Sequence, residues 1–282
     1  MKKCWIILFL VTAGFCFALD VGQHQALSYD HPVVDGYMLW IPEGYSADKV
    51  WPVILSLHSA GEVGGPVERA LEHGPAAVII DHPEETYDFL RDEFIIISPH
   101  MNDGAYEERQ WYLYTDALND IVDKVGEKYR LDEKRRYLMG YSTGATGTWG
   151  YLSRFPQRFA AAIAICGYTS PTRKLSPIIE DYDGIADVPF WIFHNVWDRT
   201  VPYRHSSAAI KKLESQGAEP FLRLRHQVDD TSGADAVVLD CDEEQVIGTA
   251  HIFSNYKVYI HDHGNLYENP ILYRWLLSHS RN

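Results

Sequence analysis

Gly140-Tyr141-Ser142-Thr143-Gly144 reads G-x-S-x-G, with the strand-like run Tyr137-Leu138-Met139 before it and a helical stretch after it. In that context the serine belongs on a sharp strand-to-helix turn, and the flanking small residues let neighbouring chains approach closely. The chemistry such a serine could do is attack on an acyl carbon. A hydroxyl at its ordinary pKa is a poor nucleophile, so it needs a base within hydrogen-bond reach and a third group that orients the base. The amino terminus of the following helix points its dipole at the oxyanion that develops.

In this arrangement the acid and then the base follow the nucleophile along the chain. Asp198 lies just past the apolar run Pro189–Asn195, in His194-Asn195-Val196-Trp197-Asp198-Arg199-Thr200-Val201-Pro202. That is a strand's carboxyl end, where α/β sites are built. Asp181, Asp183 and Asp187 are its rivals, but they precede the strand. The base falls in Tyr259-Ile260-His261-Asp262-His263-Gly264-Asn265. Alternation puts His261 and His263 on the same side of an extended chain, so the pattern leaves both open; His263 is preferred because it borders Gly264 at the turn. His194, His226 and His251 read as structural. After the run Val53–Leu57, the turn His58-Ser59-Ala60-Gly61 can aim a backbone N–H at the oxyanion. Ala60 is the expected donor there, alongside the N–H of Thr143.

These residues need a frame. Val53–His58, Phe94–Pro99, Tyr137–Tyr141, Ala160–Cys166 and Phe190–His194 read as buried strands. Continuous apolar strands suit a parallel sheet covered on both faces. Leu118, Ile121, Val122, Val125 and Tyr129 form one helical stripe. Further helices are expected over Thr143–Phe155, Ser206–Gln216 (ending at Gly217) and Leu272–Ser278. Strand–helix alternation predicts a doubly wound α/β sheet, mostly parallel, with helices on both faces. The acidic stretch Val228–Ile247 interrupts that alternation and reads as an insertion.

Residues 1–18 carry two lysines, an apolar run and small residues before a cut after Ala18, the pattern of a secretory signal. The rest, 19–282, fits one domain, secreted or periplasmic, with no membrane span after cleavage. The 282 residues are 46% hydrophobic and 23% charged, enough to bury a sizeable core. A formal net charge of −14 argues against nucleic acid as a partner, since phosphate binding needs a basic face. Cys166 and Cys241 remain after signal removal; they could pair in an oxidising compartment, and a buried unpaired Cys166 in its apolar run is the other reading. Their spacing fits no metal site, and no cofactor is implied.

The residues resemble the prolyl-oligopeptidase-like α/β-hydrolases labelled "predicted peptidases", related to feruloyl esterases and polyhydroxybutyrate depolymerases. The matching stretches are Leu57–Glu62, Gly140–Trp149, Arg154–Gly167, His194–Pro202, Tyr267–Pro270 and Leu272–Leu277. The resemblance runs from about Gly36 to the end. It departs where the family has glycine and this chain Ser59, where the family has methionine or glutamine and this chain Thr143, and in a last loop with two histidines and no tryptophan. It implies an α/β-hydrolase fold and hydrolysis of esters or amides. The expected activity is therefore ester hydrolysis through an acyl-enzyme on Ser142, His263 and Asp198, on esters of plant or microbial polysaccharide. The alternatives are a serine peptidase on short peptides and a non-catalytic binding protein on the same scaffold.

Overall fold

The structure is a computed structural model that describes residues 20–83, 87–170, 177–195, 198–218, 222–225, 251–256 and 266–282. The signal segment, the Val228–Ile247 insertion, His226, Cys241, His261 and His263 lie outside the described residues, as do the side chain of His251 and the elements that would close the last loop.

Each expected strand forms, within a few residues of its sequence bounds. They are β3 (Trp51–Leu57), β4 (Ile95–Met101), β5 (Leu131–Tyr141), β6 (Ala161–Ile165) and β7 (Phe190–Asn195). Four more, β1 (His24–Ser28), β2 (Val34–Trp40), β8 (Leu222–Arg225) and β9 (His251–Tyr256), complete one sheet in the order β1-β2-β4-β3-β5-β6-β7-β9-β8. From β4 onward every pairing is parallel; β1–β2 and β2–β4 are antiparallel. The frame is thus the mostly parallel α/β-hydrolase sheet, extended by an antiparallel edge.

The strands read as unbroken apolar runs because both faces are covered. Val53, Leu55, Leu138, Ala162, Ala164, Phe190 and Ile192 point to one core. Ile54, Tyr137, Met139, Ile163, Trp191 and Phe193 point to the other. Against the first pack α3 (Thr115–Lys128), α4 (Thr143–Arg154), α5 (Asp183–Ala186) and α6 (Arg204–Ser215). Against the second pack α1 (Pro75–Asp81), α2 (Asp88–Glu93) and α7 (Pro270–Leu277). The predicted stripe on α3 is its buried face: Leu118, Ile121, Val122 and Val125. Gly217, at φ 94, ends α6, and the Ala218 N–H returns to the Leu213 carbonyl, satisfying an orphan of the last turn.

Candidate active site

Because β3, β5, β6 and β7 run parallel, their carboxyl ends share one edge. There the chain leaves β5 into Ser142, which takes φ 54 and ψ −113 before α4 begins at Thr143. A side-chain-bearing residue in such a conformation costs on the order of 1–3 kcal/mol and persists only where its surroundings fix it. The glycines of the motif show how. A Cβ on Gly140 would lie 2.3 Å from the Gly144 carbonyl, and one on Gly144 would lie 2.0 Å from the Leu57 carbonyl oxygen. Strand β5, helix α4 and the end of β3 meet closer than any side chain allows. The Ser142 N–H donates to the Ile165 carbonyl at 2.9 Å, so the N–H groups that α4 leaves unused begin with Thr143. Ser142 and Thr143 are both partly exposed.

Directly beside the elbow is Cys166, buried, at φ 56, with its N–H donating to the Phe193 carbonyl of β7. Its sulfur, a ring nitrogen of His194 and a carboxylate oxygen of Asp198 lie within 4.8 Å of one another. Asp198 therefore reaches the elbow's neighbourhood, one strand removed through β6. The sequence motif held no sign that Cys166 would form this bridge. Asp198 is buried, and its Oδ1 accepts from the N–H groups of Thr200 and Val201, both at 2.8 Å. Those bonds fix the carboxylate plane, and Oδ2 lies 3.7 Å from His194 Nε2. The rivals sit elsewhere. Asp181, Asp183 and Asp187 are exposed, and they lie before β7, at the opposite edge of the sheet.

His194 is wholly buried, and its bonds set its tautomer. A carbonyl only accepts, so Nε2 donates to the Val201 oxygen at 2.8 Å, and Nδ1 accepts from the Ser206 hydroxyl at 2.7 Å. In this tautomer the Nδ1 lone pair is taken up by Ser206 and Nε2 carries its proton toward Val201.

Past β3 the chain turns through Ser59 into a 3-10 turn, Ala60–Glu62. His58, buried under it, donates from Nδ1 to the Ser59 carbonyl at 2.7 Å and accepts at Nε2 from the Met101 N–H at 3.1 Å. Burial holds its pKa down to about 4, so it is neutral near pH 7. The Trp111 indole donates to the His58 carbonyl at 2.9 Å. Ala60 is exposed at the apex. Two side chains brace this turn. Glu62 accepts from the Ser59 N–H at 2.6 Å and pairs with His73 Nδ1 at 2.5 Å. Arg69 donates to the carbonyls of Gly61, Val63 and Gly64. The S-x-x-E spacing of Ser59 and Glu62 was the readable signal, because it marks a reciprocal cap. A cavity of about 270 Å³ adjoins the turn through His73, with Asp81, His82, Tyr267 and Glu268 in its lining.

The profile of a family described as "Putative esterase" matches residues 37–228. No curated protein matches the sequence at a significant level. Among solved structures, a thermostable esterase is similar at 24% identity and a TM-score of 0.65, over 92% of this chain and 63% of that one. This chain thus spans less than two thirds of that esterase. A ferulic acid esterase from the anaerobic fungus Anaeromyces mucronatus is similar at 15% identity and a TM-score of 0.60, over 93% of this chain and 91% of that one. An acetyl xylan esterase from Aspergillus awamori is similar at 16% identity and a TM-score of 0.56, over 91% and 100% of the two chains. The matched span takes in the turn after β3, the G-x-S-x-G motif and Asp198, the solved structures share the α/β-hydrolase fold, and by the matched span the chain belongs to this esterase family.

Proposed function

We propose that the protein hydrolyses carboxylic esters of a hydroxyl-rich alcohol, such as an acetylated or feruloylated polysaccharide, through an acyl-enzyme on Ser142. The observation that carries this is the conformation of Ser142, held at φ 54 between β5 and α4 by a packing that tolerates no Cβ at Gly140 or Gly144. Strain so tightly over-determined marks a functional position.

In the proposed sequence, a base from the last loop takes the Ser142 proton as Oγ attacks the acyl carbon, then returns it to the leaving alcohol. Water repeats the cycle to release the acid. Asp198 Oδ2 receives the base's second N–H and fixes its tautomer. The oxyanion lies between the N–H groups of Thr143 and Ala60. His263 is the preferred base and His261 its alternative. Family membership and the likeness to ferulic acid and acetyl xylan esterases support the ester class. The imidazoles and carboxylates lining the cavity beside His73 are suitable partners for sugar hydroxyls. Met1–Ala18 is proposed to export the chain, to the periplasm or beyond, and the mature amino terminus is then Leu19.

The test is Ser142→Ala. The variant should fold as wild type, lose fluorophosphonate labelling and lose turnover of p-nitrophenyl acetate and acetylated xylan. Near-wild-type turnover by this variant would refute the nucleophile. Peptide anilides cleaved faster than esters would refute the substrate class.

A further inference from the structure

Glutamate is almost never fully buried unless its charge is matched, because desolvating a carboxylate is expensive. Glu62 is 1% exposed, directly at the oxyanion turn. Its two oxygens do separate jobs. Oε2 accepts the Ser59 N–H at 2.6 Å, and Oε1 pairs with His73 Nδ1 at 2.5 Å, across eleven residues of chain. Burial would raise its pKa, but the hydrogen bonds from His73 and Ser59, with the His73 charge, outweigh that and bring it down to about 2. The carboxylate is therefore ionised at any working pH.

The consequence lies in which N–H groups the turn leaves over. The Ser59 N–H goes to Glu62, and the Gly61 N–H goes to Ser59 Oγ at 3.2 Å. Ala60 opens the 3-10 turn, so its N–H has no preceding turn to donate into. Arg69 holds the far side through the Gly61 carbonyl at 2.5 Å. The arrangement fixes the peptide plane of Ala60 while keeping its donor unspent at an exposed apex. The Ser59 hydroxyl supplies one of these bonds.

We propose that Glu62 is a positioning residue of the hydrolysis, whose buried carboxylate bridges Ser59 and His73 and so holds the Ala60 N–H toward the oxyanion. The inference rests on the reading of Ser142 as the nucleophile of ester hydrolysis. Glu62 touches neither substrate nor reacting atoms. Its contribution is to the transition state, since a ground-state ester carbonyl has little charge for the donor to meet.

The experiment compares Glu62→Ala, Glu62→Gln and Glu62→Asp on p-nitrophenyl acetate, with active sites counted by phosphonate titration. It adds the affinity of an aryl trifluoromethyl ketone, whose adduct with the serine carries the oxyanion. Glu62→Ala should lower kcat on the order of 10²-fold, the usual loss for one oxyanion donor, with KM changed less than threefold. Ketone affinity should fall in proportion to kcat/KM. Glutamine spans the same gap and can still accept from Ser59, so Glu62→Gln should recover most of the loss. Aspartate keeps the charge but is one methylene short, so Glu62→Asp should stay at least tenfold down. This last pair carries the test if Glu62→Ala does not fold. A Glu62→Ala enzyme whose titrated sites turn over within threefold of wild type, with only its melting temperature lowered, would overturn the proposal. So would a Glu62→Asp enzyme more active than Glu62→Gln. Ser142→Ala run alongside separates the two readings, because turnover surviving in it removes the nucleophile on which the proposal stands.

Discussion

Gly144→Ala is the sharpest test of how the elbow is held. The added Cβ would meet the Leu57 carbonyl oxygen at 2.0 Å, the Leu57 carbonyl carbon at 2.7 Å and the His58 carbonyl oxygen at 2.8 Å. All three are backbone atoms, so no side chain can rotate away. Ordinary contact begins near 3.4 Å, so either α4 or the end of β3 must retreat by about 1.4 Å. Either movement shifts one of the two proposed oxyanion donors, Thr143 on α4 or Ala60 beyond β3. A misplacement of about 1 Å can cost on the order of 10²-fold in rate, and overpacking costs about 1–3 kcal/mol of stability. The expected result is a folded enzyme, less stable by that amount, with kcat and the rate of fluorophosphonate labelling both down about 10²-fold. Gly126→Ala is the control. It lies inside α3, where a Cβ meets nothing closer than Leu131 at 3.6 Å, and it should stabilise by about 0.5–1 kcal/mol without changing kcat. A folded Gly144→Ala enzyme with kcat within threefold of wild type would refute the claim that this close packing aligns the site.

Asp198→Asn keeps the Oδ1 that accepts from Thr200 and Val201 but puts an amide where Oδ2 stood. It should preserve the loop and lower kcat on the order of 10⁴-fold by favouring the wrong tautomer of the base, and a loss under tenfold would remove Asp198 from its role. His263→Ala should abolish turnover while His261→Ala weakens it modestly; the reverse pattern would exchange their roles and leave the triad intact. Stability should fall in acid in two stages, seen as melting temperature against pH. His58 has a folded pKa near 4 against 6.5 unfolded, so the unfolded chain takes the proton first and up to about 3 kcal/mol is lost as pH falls from 6.5 to 4. His24, also lowered to about 4 by burial, acts in the same direction. Glu62 is depressed, so its contribution is present above 4.5 and lost as pH falls toward 2. A melting temperature flat from pH 7 to 4.5 would contradict the buried neutral His58.

The sequence determined those parts of the protein whose energies are settled within a few residues. Strand β5, the elbow and α4 were legible together, because the apolar run changes to a helical pattern across two glycines and a serine. The inner parallel strands were legible because, covered on both faces, they need no polar alternation. The place of Asp198 just past β7 followed from the same local logic. The edge strands were missed. β1 is short and has no buried residue along HQALS, and β2 carries Asp35 and Gly36 within its run, so what makes both strands is pairing with other strands of the sheet. Tertiary structure also decided the placement of Glu62 and Cys166. The Ser59–Glu62 spacing announced a cap, but the burial of that carboxylate, its reach to His73 and the grip of Arg69 on the same turn exist only once the chain after β3 has folded back on itself. Cys166 looked like one more residue of an alanine-rich strand. Only the register of β6 between β5 and β7 places it between the elbow and Asp198, because strand order is fixed by long-range burial that no local pattern encodes.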